Sequence, residues 1–148
     1  MIKYKSKIDR ITLKKEKSEI RKMKIKKSND AYKYSLMFYE DDINIYESSF
    51  LILLNAANNT IGYAKISQGG VAGTVIDPII VVKYAIDSLA RGVIIVHNHP
   101  SENVNPSEND KLFTKRLNEA LKLFQVSLLD SLVISEQKYY SFTDNGLL

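Results

Sequence analysis

Cysteine and tryptophan are both absent from this chain of 148 residues, and histidine occurs only twice. Without cysteine there is no disulfide framework and no thiolate metal site, so a transition metal would have to be held by imidazole and carboxylate. No apolar run approaches the ~20 residues needed to cross a bilayer, and the opening MIKYKSKIDR lacks the apolar core of a signal peptide. A cytoplasmic protein without membrane contact is therefore expected. What is present, 45% hydrophobic residues in a chain of this length, suits one domain with a core of ordinary size.

The formal net charge of +4 is unevenly spread. Residues 1–30 carry 12 Lys/Arg against 4 Asp/Glu, and the remainder 9 against 13. A basic arm can engage nucleic-acid phosphates. However, Ile8, Ile11, Leu13, Ile20, Met23 and Ile25 are interleaved with the lysines, and no aromatic stacking platform accompanies them. One or two charge-rich edge strands over residues 1–27 are expected, with at most a weak nucleic-acid contact through residues 1–30.

Ser28 suits the N-cap of a short helix reaching about Tyr39, followed by an acidic loop that holds Glu40, Asp41, Asp42 and Glu47. Phe50 to Leu54 is an unbroken apolar run, as in a strand buried on both faces. A turn is expected at Asn58-Asn59, with strands over Ile61–Ser67 and Val71–Val75 around the Gly69-Gly70 break. Asp77-Pro78 places an N-cap acid before proline at the first helical position, and apolar residues at 79, 82, 86 and 89 share one face. The pattern predicts a helix over 78–90 with Gly92 at C′.

Val93 to Val96 then reads as a buried central strand. Ser107 opens a second long helix whose stripe is Leu112, Phe113, Leu117, Ala120, Leu121 and Phe124, and Val126–Ser135 and Lys138–Phe142 form a hairpin turning at Glu136-Gln137. The expectation is an α/β sheet sandwiched by helices, with neither repeat nor linker.

The chain's two histidines stand one residue apart, at the end of the central strand, in His97-Asn98-His99-Pro100. Side chains at i and i+2 of an extended segment leave the same face, so both imidazoles can converge on one ion. Asp110 can join them if the loop through Pro100 and Pro106 folds back. Three protein ligands plus an open position is the pattern of catalytic zinc. Ser107-x-x-Asp110 is equally a helix capping box, and both roles can coexist because an N3 carboxylate points back toward its helix N-terminus.

The order His97-x-His99-Pro, seven residues, Ser107-x-x-Asp110 resembles the JAMM motif of the MPN (JAB) metallopeptidase superfamily. The surrounding text resembles the RadC branch: Ile94-Ile-Val-His-Asn-His-Pro-Ser101, Pro106-Ser107, Leu128-Leu-Asp130 and the ending from Tyr139 to Leu148. The likeness covers residues 45–148 well and residues 1–44 loosely. It implies an MPN-type domain over 45–148, with the basic strands and short helix of 1–44 as part of the same unit. The implied fold is of the MPN/JAB, cytidine-deaminase-like type, an α+β arrangement with a mixed sheet between helices. The implied cofactor is Zn²⁺, held by His97, His99 and Asp110. The superfamily also uses a glutamate from an earlier strand to act on the attacking water, and Glu47 matches that position. From the residues alone, Glu40 and Asp42 compete with it.

There are three departures from the family pattern. Glu102 stands where the family usually has glycine after His-Pro-Ser, and Ser131 where it often has histidine after Leu-Asp. No counterpart of the helix-hairpin-helix region of longer RadC proteins occurs in these residues, which weakens the prospect of DNA binding.

The resemblance implies a zinc metallopeptidase or isopeptidase in which Glu47 moves the proton and Ser107 donates a hydrogen bond to the oxyanion. Its substrate would be a peptide or isopeptide. The alternatives are a DNA-repair-associated or DNA-processing factor, and a metal-binding interaction domain without turnover. His97-Asn98-His99 matches HNH nucleases only in spelling, since those nucleases take the three letters from distant positions.

Overall fold

Alternation of side chains across β1 (Ser48–Leu54) and β3 (Gly92–Asn98) organises the protein: all seven residues of each are buried, so neither strand has a solvent face. The computed structural model describes residues 8–12, 14–69 and 75–148. Five strands form one mixed sheet in the order β2-β1-β3-β4-β5, where β2 is Thr60–Gln68, β4 Ser127–Ile134 and β5 Tyr139–Ser141. β3 is central, antiparallel to β1 and parallel to β4. The parallel step needs a crossover, which α3 (Glu108–Lys122) supplies.

One face of the sheet presents Phe50, Ile52, Leu54, Ile94, Val96, Leu132 and Ile134 to α1 (Ser28–Leu36) and its neighbours Ile25 and Phe38. The other presents Leu51, Leu53, Val93 and Ile95 to Val81 and Ala85 of α2 (Pro78–Asp87) and to Leu117 and Leu121 of α3. The expected sheet sandwiched by helices is what the sequence builds. Each aliphatic side chain fully withdrawn from water contributes roughly 1.5–3 kcal/mol, so the two clusters dominate the stability of the fold.

Several local expectations hold. Asn58 turns the chain at φ 58°, Asp77 caps α2 by accepting from Ile79 N–H, and β4 and β5 pair as a hairpin. Others need correction. Among the described residues, 8–23 enter no strand. Lys24 alone forms an isolated bridge, to Asn59, and Ile25 is drawn into the core. Of the segment's apolar side chains Ile20 packs against the core, while Ile8, Ile11 and Met23 are exposed. Ser28 is the first residue of α1 rather than its cap, with the Asp30 carboxylate accepting from Lys26 and Lys27 N–H.

α2 ends at Asp87, and Leu89 rather than Gly92 takes the left-handed turn, at φ 54°. Gly92 instead opens β3, where a Cβ would meet Leu129 Cδ1 at 2.8 Å. On α3 the buried stripe runs through Thr114, Leu117 and Leu121, while Leu112 is exposed because the helix packs on one narrow side, and Phe124, exposed too, lies beyond the helix end. Of the strand expected over Val71–Val75, positions 71–74 lie outside the described residues, and Val75 is exposed and belongs to no strand.

Candidate metal centre

The antiparallel register of β1 and β3 brings together residues about fifty positions apart. Ser49 faces His97, and the same register extended by two residues sets Glu47 opposite His99. One ligand-type atom from each of Glu47, His97 and His99 lies within 4.8 Å of the others. Of the two competing acids, Glu40 is exposed and Asp42 half-buried; neither belongs to this cluster.

Asp110 reaches the same point from the first turn of α3. Its Oδ1 lies 3.2 Å from His97 Nε2 and its Oδ2 3.7 Å from His99 Nε2, and the two Nε2 atoms are 3.2 Å apart. The loop through Pro100 and Pro106 therefore does fold back. His99 Nδ1 donates to the Asn103 carbonyl at 2.6 Å. A carbonyl only accepts, so the Nδ1 proton is fixed there and the Nε2 lone pair of a neutral ring faces inward, as a metal ligand requires. Burial pushes the Asp110 carboxyl up, but the hydrogen bond and charge of His97 and the bonds with Ser107 outweigh it. Its pKa is held well below the usual carboxylate range, so it is an anion across ordinary pH.

Both bonds of the capping box are present. Asp110 N–H donates to Ser107 Oγ at 3.1 Å, and Ser107 N–H to Asp110 Oδ2 at 2.7 Å. Asp110 thus caps its helix and faces the histidines at once. The Ser107 oxygen is occupied as an acceptor, which leaves its hydroxyl proton to be donated.

Whether these groups suit a metal can be judged from their spacing. Tetrahedral zinc with bonds of about 2.0–2.2 Å sets its donors roughly 3.3–3.6 Å apart. His97 Nε2 stands 3.2 Å from both His99 Nε2 and Asp110 Oδ1, just under that range, and His99 Nε2 stands 3.7 Å from the other carboxylate oxygen, Oδ2, just over it. Two imidazoles and a carboxylate are also a donor set that zinc accepts.

Beside the cluster opens a cavity of about 250 Å³, lined by Glu47, His97 and Asp110 together with apolar Ile76, Ile95 and Phe113. Thr114 and Ser131 also line it, both buried, with the Thr114 hydroxyl donating to Ser131 Oγ at 3.1 Å. Ser131, the position where the resembling family often has histidine, is part of this lining. Glu102, in place of that family's glycine, adopts φ 62°, the left-handed conformation that glycine enters without strain.

Thr114 could have been picked out in the sequence by its i+4 spacing from Asp110. Nothing in the sequence singled out the Asn103 carbonyl, because a backbone acceptor has no residue signature.

Comparison with known proteins gives a consistent picture. The family model described as "RadC-like JAB domain" matches residues 25–147. A "UPF0758 protein" of Flavobacterium johnsoniae is 43% identical over 102 residues, covering 69% of this chain and 44% of that protein. Another from Chlorobium chlorochromatii is 38% identical over 125 residues, covering 84% and 55%. A third, "UPF0758 protein NMC1174" of Neisseria meningitidis, is 41% identical over 102 residues, covering 69% and 45%. The chain thus spans about half the length of these curated relatives.

Proposed function

The chain belongs to the RadC-like JAB domain family, and from that premise we propose that it is a zinc-dependent hydrolase of amide or isopeptide bonds. The observation that carries the reading is the convergence of His97, His99 and Asp110 at 3.2 to 3.7 Å, with Glu47 alongside and a cavity opening beside them.

In this reading His97, His99 and Asp110 would hold zinc, which when bound supplies Lewis acidity and brings the pKa of a water down to about 7. The Glu47 carboxylate takes a proton from the attacking water and delivers it to the departing amine. Ser107, its oxygen bonded to Asp110 N–H, turns its hydroxyl proton toward the developing oxyanion. The apolar wall of Ile76, Ile95 and Phe113 receives substrate and limits competing water.

Elemental analysis of protein purified without chelator is expected to find about one zinc per chain, and His97→Ala and His99→Ala to lose it. Glu47→Gln should keep the zinc yet slow hydrolysis of peptide and isopeptide reporters by ~10²–10⁴. Parental zinc in both histidine variants would refute the metal assignment. Parental activity in Glu47→Gln, with Glu40→Gln or Asp42→Asn inactive, would show the proton carrier to be misplaced.

A further inference from the structure

We propose that Asn98, the residue between the two histidines, is a positioning residue that sets the Glu47 carboxylate over the imidazoles by clamping the backbone on either side of it. The proposal rests on the reading of Glu47 as the proton carrier.

Strand alternation excludes Asn98 from the metal cluster itself. Val93 and Ile95 face α2 and α3, and His97 continues that row, whereas Ile94 and Val96 face the α1 side and Asn98 continues theirs. There its amide is fully buried and makes three hydrogen bonds. Oδ1 accepts from Ser48 N–H at 2.8 Å, while Nδ2 donates to the carbonyls of Ile43 at 2.5 Å and Tyr46 at 2.8 Å. Ser48 and Tyr46 are the neighbours of Glu47 in the chain, so one side chain grips both peptide groups flanking it.

Two further bonds complete the hold. Tyr39 O–H donates to the Ser48 carbonyl at 3.0 Å, and Gly69 N–H to the Glu47 carbonyl at 2.8 Å. The segment before β1 consists of turns over residues 41–45 and a bend at Tyr46, with much of it exposed. β1 begins only at Ser48, so beside the Gly69 bond it is the Asn98 amide that holds Glu47 and the segment before it at the height of the histidines. Because Asn98 also joins His97 to His99, the proton carrier and two of the metal ligands are referred to the same stretch of β3. An error of 1 Å at such a site costs about 10²-fold in rate.

Aspartate at this position would keep the acceptor for Ser48 N–H but lose both donors and face two carbonyls with a charge. Alanine would lose all three bonds. Asn98→Ala and Asn98→Asp should therefore retain one metal per chain, lose about 10²-fold in kcat with KM within about twofold, and exchange the Ser48 amide proton faster than the parent. The deciding measurement is a double-variant cycle, in which Asn98→Ala added to Glu47→Gln should cause no further loss of turnover. An equal loss in both backgrounds overturns the proposal, as does parental turnover in a variant whose Ser48 amide exchange has risen.

Should Asn98→Ala fail to fold, the near-isosteric Asn98→Asp provides the same comparison. Visible absorption of the Co²⁺-loaded proteins across pH needs no substrate and separates this proposal from the hydrolase reading. The Asn98 variants are expected to follow the profile of Glu47→Gln. If instead they follow the parent while Glu47→Gln departs from it, the positioning role fails even where no hydrolysis is found.

Discussion

Removing the carboxylate of Asp130 is expected to loosen the C-terminal end of the chain and to change how stability depends on pH. Asp130 lies in β4, 4% exposed, and accepts three hydrogen bonds. Oδ1 takes them from Ser131 N–H at 2.8 Å and Thr143 N–H at 3.1 Å, and Oδ2 from Ser141 O–H at 2.6 Å. Asp130→Ala leaves the buried Ser141 hydroxyl and the part-buried Thr143 N–H without an acceptor. At about 1–3 kcal/mol for an orphaned buried donor, and little for the amide of exposed Thr143, which water can reach, the loss is roughly 1–3 kcal/mol. For a chain of this length each kcal/mol moves Tm by about 2–4 °C, so a fall of roughly 2–12 °C is expected.

The pH dependence of this group has a definite sign. Burial pushes the Asp130 pKa above its ordinary value, although the bonds from Ser141, Thr143 and Ser131 act to lower it. A carboxyl whose folded pKa is raised contributes stability that is complete below its unfolded pKa, near 3.9, and is lost as pH rises through the folded value. Asp130→Asn keeps the shape and does not titrate. Its stability relative to the parent should therefore improve as pH is raised from about 4 to 7. Circular dichroism melts of parent, Asp130→Asn and Asp130→Ala over that range provide the assay. A parental Tm for Asp130→Ala, or a Tm difference between Asp130→Asn and parent that is flat across pH, refutes the reasoning.

The proposed zinc site should have its own thermal signature. At free zinc 100-fold above its Kd, binding adds about 2.7 kcal/mol to the native state, a rise in Tm of roughly 5–11 °C that chelator reverses. His97→Ala and His99→Ala should abolish that rise, and a shift of parental size in either would exclude it as a ligand. Ser107→Ala removes the acceptor for Asp110 N–H and should cost about 1 kcal/mol of stability while retaining zinc, with turnover down ~10²–10³ if the hydroxyl serves the oxyanion. A lower Tm with parental turnover would reduce Ser107 to a helix cap.

Local chemistry made much of this protein legible without a structure. The apolar run Phe50 to Leu54, the β-branched run Val93 to Val96 and the Asp77-Pro78 start each encode their element within a few residues, and each forms as expected. His97 and His99 share a face because strand side chains alternate, and Ser107-x-x-Asp110 caps its helix because the side chain and amide involved are three residues apart. Where the reading failed, the deciding contact was distant. Lysine-rich residues 14–22 join no strand, because backbone bonding to the sheet edge begins only at Met23, whose carbonyl accepts from Thr60 N–H. Gly92 serves close approach to Leu129 rather than a helix end.

The site divides along the same line. The donor types, the paired histidines and the placing of Asp110 in the first turn of a helix are legible in the chain itself, since each depends on near neighbours. Folding of the whole sheet was needed to set β1 antiparallel to β3 in the register that carries Glu47 to His99, and to let the Asn98 amide span from one strand to the loop before another. Folding also sets a backbone carbonyl at Asn103 to orient His99. Register between strands about fifty residues apart is set by which apolar faces bury together across the whole sheet, and no short stretch of chain contains that information.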